Sequence, residues 1–202
     1  MSIRIFSSCL LALVLSACGG IVSEKSPVGK NLLLNNSQST LSFVSIKKDS
    51  IGEVHRFNGL SGFVTEMQQA QLNVDLLTVS TGIQIRDQRM QKHLFETSKF
   101  GSATLLVSLE GYPELALSVG QRTELTLQAE LDVHGVRQSM PATVIVVRTK
   151  NGGLLVQSSK PIMIDALSFG FKEGISKLAE LAALPSIASS VPVSFTLQFD
   201  PT

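Results

Sequence analysis

Val191-Pro192-Val193-Ser194-Phe195-Thr196-Leu197-Gln198-Phe199 decides the fold. Val191, Val193, Phe195, Leu197 and Phe199 fall on one side, and Pro192, Ser194, Thr196 and Gln198 on the other. Successive side chains of a strand point to opposite faces, so this alternation describes a strand with one buried and one wet face. Such strands belong in antiparallel sheets. Residues 125–133 repeat the pattern, with Leu125, Leu127, Ala129, Leu131 and Val133 set against Thr126, Gln128, Glu130 and Asp132. Leu72, Val74 and Leu76 alternate with Asn73 and Asp75. Further strands are expected near 39–48, 55–65, 101–110, 139–149 and 153–160, the last two joined by a tight turn at Asn151-Gly152-Gly153.

The count is about eight strands. Two segments break the pattern. Residues 82–96 scatter Ile83, Ile85, Met90, Leu94 and Phe95 among charges, and residues 174–183 place Ile175, Leu178, Leu181 and Ala182 at helical spacing ahead of Pro185. Two short helices cannot cover the apolar faces of eight strands, so the sheet must fold onto itself. The long strands at 55–65 and 125–133 favour a closed barrel, and closure removes exposed edges. The expected fold is all-β: an eight-stranded antiparallel barrel with two short helical insertions. A barrel of that size is either filled by its own side chains or holds one small ligand, and alternation does not choose between these.

Leu15-Ser16-Ala17-Cys18 closes a short apolar run, Ile5 to Leu15, that follows Arg4. A positive start, an apolar stretch and small residues before a cysteine resemble a bacterial lipobox. The run is too short to span a membrane, which takes ~20 apolar residues. The expected organisation is a signal peptide at 1–17, a lipidated tether at 18–31 and the barrel at 32–202. The lipid on Cys18 is then the membrane anchor. Gly19 rather than Asp follows it, which by resemblance to the usual bacterial sorting rule implies the outer membrane, facing the periplasm. Removing residues 1–17 takes away Cys9, so no intrachain disulfide is possible. It also takes away Arg4 and no acid, so the formal charge falls from +1 to about 0. A balanced surface makes no electrostatic case for nucleic acid. Trp is absent, Tyr112 is the only tyrosine, and most aromatic residues are Phe, which suits dry contacts rather than base or sugar stacking.

Catalytic patterns are missing from the sequence. Gly59-Leu60-Ser61-Gly62 does not have the spacing of a nucleophile elbow. No glycine-rich phosphate loop is present, and the carboxylates are scattered. His55, His93 and His134 fit no zinc-ligand spacing. Glu53 and His55 share a strand face and read as solvated residues at a strand start. Arg86-Asp87 is the sharpest polar pair, and two readings stay open: an entrance arginine oriented by Asp87, or a structural salt bridge or cap at the start of the helical insertion. Phe57, Phe63, Met90, Leu94 and Phe95 are either core or the wall of a binding tunnel.

Several stretches, in order, resemble the YceI-like family: Ser39-Thr40-Leu41-Ser42-Phe43, Phe57-Asn58-Gly59-Leu60-Ser61-Gly62, Thr78 to Gly82 leading into Arg86-Asp87, His93-Leu94-Phe95-Glu96, Leu131 to Val136, Phe169-Gly170, and Val191 to Phe199. Residues 88–93 and 175–188 depart from the family pattern, and both are expected near the tunnel mouth. The resemblance implies a lipocalin-like barrel around a long isoprenoid or related lipid, with no catalytic residues and no cofactor other than the bound lipid. It puts Phe57, Phe63, Met90, Leu94 and Phe95 along the tunnel and Arg86 and Asp87 at its entrance. The implied function is binding and sequestration or transport of a long apolar lipid, such as a prenyl quinone, in the bacterial envelope. The alternative is a protein-interaction module whose barrel is filled by its own side chains. A transmembrane barrel would need aromatic girdles that one Tyr and no Trp do not supply.

Overall fold

Alternating segments of this length pair with neighbours, and in a computed structural model that describes residues 29–202 they close into one barrel. The expected signal peptide, Cys18 and most of the tether lie outside the described residues. The strands are β1 (Leu32–Leu34), β2 (Thr40–Lys47), β3 (Ile51–Phe57), β4 (Leu60–Val64), β5 (Gln69–Asp75) and β6 (Val79–Ser80). There follow β7 (Ser102–Ser108), β8 (Arg122–Val133), β9 (Val136–Arg148), β10 (Leu154–Ser158), β11 (Ile162–Asp165) and β12 (Ser190–Pro201).

Four pairs among these are single staves with a break: β1 with β2, β3 with β4, β5 with β6, and β10 with β11. Both β1 and β2 pair with β12; β4 pairs with β1 and β5, and β3 with β2 and β6. Both β10 and β11 pair with β12 as well. With β7, β8, β9 and β12 this makes eight antiparallel staves closed on themselves, as the alternation implied. The helices are α1 (Gln84–Arg89), which runs into a π-type turn at Met90–Leu94, and α2 (Lys172–Leu181). Both expected helical insertions are therefore present.

The expected long strand at 55–65 is not continuous. It turns at Asn58-Gly59, where the Gly59 N–H donates to Thr78 Oγ1 at 2.8 Å and the Gly59 carbonyl accepts from the Asp75 N–H at 2.9 Å. The break shifts the alternation by one residue. Phe57 is buried before it, and Leu60 and Val64 are buried after it. Phe63 falls on the outer face, paired across to Leu33, which is 55% exposed. A slip of one residue moves a whole run of side chains to the other face of a sheet. The β8–β9 hairpin closes through His134 and Gly135, both at positive φ (55° and 76°). That pair of angles is the primed turn whose twist matches the strands.

The interior has two halves. Around β1, β4, β10 and the C-terminal part of β12, the side chains of Leu32, Val64, Val144, Val146, Leu154 and Phe199 fill it, each at most 4% exposed. A turn at Pro113–Leu115 buries Leu115 in the link between β7 and β8. The other half, under the two helices, is hollow.

Candidate functional site

The hollow half is built first by the inward faces of β2 and β3. Their register sets Leu41 opposite Phe57, Phe43 opposite His55 and Ser45 opposite Glu53, with Lys47 beyond them. The wall therefore grades from apolar to charged toward the 48–50 turn. On the neighbouring stave, where Val193 lies opposite Phe43 and Phe195 opposite Leu41, Val191, Val193 and Phe195 of β12 line the same space, whereas Leu197 and Phe199 further along that strand belong to the packed half. The cavity measures about 420 Å³.

The helices cover it. Met90, Leu94 and Phe95 reach it from the first insertion, and Ile175, Leu178 and Ala182 from the second. The two insertions pack closely at Gly174, where an added Cβ would lie 2.6 Å from the His93 carbonyl oxygen and 2.9 Å from Leu94 Cα. Only glycine permits that approach. A guanidinium nitrogen of Arg89 donates to the Leu181 carbonyl at 3.0 Å and ties the helix ends together. A row of rings crosses from barrel to lid: Phe43–Phe57 (5.3 Å), Phe57–Phe95 (5.7 Å) and Phe95–Phe171 (6.0 Å). These separations are those of favourable ring pairs.

At the charged end, Glu53 accepts from Lys47 Nζ at 2.9 Å and from Arg86 Nη1 at 2.8 Å. Arg86 Nη2 also donates to the Thr81 carbonyl at 2.8 Å. Asp87 turns away from this pair and accepts from the Thr81 N–H at 2.8 Å and from its hydroxyl. Asp87 thus fastens the strand-to-helix junction, and the group that orients Arg86 is Glu53. His55 is not the solvated residue expected: it is 3% exposed, with Nε2 on the Ser45 hydroxyl at 2.8 Å and its ring edge-on to Phe43. Burial, reinforced by the positive charge of Arg86, pushes its pKa below the ordinary histidine value, so the ring is neutral at pH 7.

Of the residues singled out in the sequence, Phe57, Arg86, Met90, Leu94 and Phe95 line the cavity; Phe63 and Asp87 do not. Glu53 and Arg89 also line it and were not singled out as site residues. The shared face of Glu53 and His55 was the available signal for Glu53, and its link to Arg86 is a long-range contact. Among the described residues, no three His, Cys, Asp or Glu side chains gather where they could hold a metal ion.

The hydrogen bond from Lys47, aided by the charge of Arg86, holds the Glu53 carboxyl below its usual pKa. A depressed carboxylate pKa contributes stability above the unfolded value, and that contribution is lost as pH falls through the folded value. Glu53→Gln should therefore melt below the wild type at pH 7, and the gap should close as the medium is acidified below about pH 4. Thermal melts across the acid range check this; a gap that stays constant with pH would show that the ion pair does not carry the difference.

The YceI-like domain family matches residues 33–199. A polyisoprenoid binding domain from Saccharophagus degradans, implicated in plant cell wall breakdown, is 36% identical, with a TM-score of 0.81 over 85% of this chain and 98% of that one. Burkholderia cenocepacia BcnA is 16% identical, with a TM-score of 0.58 over 82% of this chain and 98% of that one, and shares the fold. No curated protein matches the chain.

Proposed function

The chain belongs to the YceI-like family, and on that premise we propose that it binds a long apolar lipid, an isoprenoid or prenyl quinone, and sequesters or transports it in the bacterial envelope without a catalytic step. The observation that carries this reading is the cavity of about 420 Å³ behind walls of Phe, Leu, Ile, Val and Met. A barrel filled by its own side chains leaves few voids larger than a water. The solved relative described as a polyisoprenoid binding domain supports the choice of ligand class.

Size bounds the ligand. A cavity of ~150 Å³ accepts one benzene, so this one encloses roughly 17 carbons, between three and four isoprene units. A longer chain has to leave through the mouth. Each CH2 moved from water into such a space contributes ~0.8 kcal/mol, so binding needs no reactive group. Mass spectrometry of an organic extract of the natively purified protein tests the proposal. A co-purifying isoprenoid lipid, or stoichiometric uptake of an added prenyl quinone, is expected. No lipid and no uptake would overturn it in favour of the interaction module.

We place the protein on the outer membrane, facing the periplasm, through a lipid on Cys18. The support is the Leu15-Ser16-Ala17-Cys18 sequence. Cys18→Ser should lose the lipid mass and move the protein out of the membrane fraction. Unchanged fractionation and mass in that variant would rule the anchor out.

A further inference from the structure

Among the described residues, four charged side chains line the cavity, and their signs do not balance. Lys47, Arg86 and Arg89 are cations and Glu53 is the single anion. Lys47 and Arg86 share that one carboxylate, at 2.9 and 2.8 Å. Asp87, the nearest further acid in sequence, is engaged with Thr81 and does not line the cavity. Arg89 is half-buried and makes no salt bridge among the described residues; its partner is the neutral carbonyl of Leu181. That carbonyl ends α2, and the negative end of a short helix offsets only about half a charge. A positive surplus therefore remains at the rim of an apolar cavity, where charge is weakly screened.

Arg86 and Arg89 lie three residues apart on one helix, so their side chains are neighbours. Arg86 stands at the same end of the cavity as Lys47, since both meet Glu53, and Arg89 follows it one helical turn along. A ligand suited to this space has a chain below and a negative group above. We propose that the cavity accepts apolar chains generally, uncharged prenyl quinones included, but binds amphiphiles with an anionic head, a carboxylate or a phosphate monoester, more tightly, with Arg89 as the main contact and Arg86 and Lys47 beside it. This rests on the lipid-binding reading above and adds the chemistry of the head. A guanidinium donates to either oxyanion through a fork of N–H groups, which an ammonium cannot match.

Palmitate, hexadecyl phosphate and hexadecanol are the probes, compared by calorimetry at low salt and at 0.5 M salt. Both anions should bind the wild type about tenfold more tightly than the alcohol, and the preference should shrink at high salt. Arg89→Met, which keeps the length of the side chain, should abolish most of that preference, and Arg89→Lys should retain part of it. Whichever anion binds more tightly identifies the head. Equal binding of the alcohol and both acids, or a preference unchanged in Arg89→Met, would overturn the anionic head while leaving the lipid cavity intact. Failure of all three probes to bind would overturn the cavity reading together with this one.

Discussion

Val144→Asp should abolish the cooperative unfolding transition. Val144 is 2% exposed on β9, in the packed half of the barrel, with Leu125 of β8 and Ser158 of β10 as its strand partners. An aspartate there would sit within the apolar core with little room to reach water. Burying an unpaired carboxylate costs several kcal/mol even after the group takes up a proton. The whole stability of a domain is about 5–15 kcal/mol, so one such change consumes most of it. Thr126→Asp is the control. Thr126 is exposed on β8, and its hydroxyl meets that of Thr143 at 3.0 Å across the outer face. Losing that contact costs about 1 kcal/mol at most. Calorimetric melts of the two variants decide the matter. Equal loss of the transition would mean that the inner and outer faces of β8 and β9 have been exchanged.

Ala103→Trp should stop lipid uptake while the barrel stays folded. Ala103 sits on β7 opposite Val74, and both side chains line the cavity. An indole is larger than a benzene, which itself occupies a space of ~150 Å³. The substitution therefore removes more than a third of the roughly 420 Å³ available. Affinity for a prenyl quinone should fall at least a hundredfold, which corresponds to about 2.7 kcal/mol. The melting temperature should hold or rise, because the added ring fills a void instead of displacing packed atoms. Titration with the quinone and a thermal melt of the same sample give both readings. Undiminished uptake by a folded Ala103→Trp would place the lipid outside this cavity.

The strands at 125–133 and 191–199 were legible because alternation survives wherever one face is buried and the other wet. β1 and β11 were not, since three or four residues are too few for a period to show. The two insertions were legible as interruptions of the period, and the helical form of the second follows from the spacing of Ile175, Leu178 and Leu181. Phe63 was misplaced because the turn at Asn58-Gly59 shifts the faces by one. Glycine signals a bend without saying how many residues the bend uses. At the site, Arg86 was legible as half of the Arg86-Asp87 pair, the sharpest polar pair in the chain. Its partner Glu53 lies 33 residues away in the chain, and the adjacent Asp87 was the nearer choice.

By itself the sequence determined which side chains turn inward on most staves, how many staves there are, and where the helices interrupt them. Those are local properties, set by the two-residue period of a strand and the spacing on a helix. Only the tertiary structure decided that half of the interior is solid and half hollow. An inward Val144 and an inward Val193 are alike in pattern, yet the first packs against neighbours and the second borders a void. That difference depends on the summed volumes of side chains from distant staves and on how far the helices stand off the barrel. Gly174 and the Arg89–Leu181 contact set that standoff, and neither leaves a periodic trace. The surplus of positive charge at the mouth is likewise a sum over the β2–β3 hairpin and α1, which lie far apart in the chain and meet only in the folded barrel.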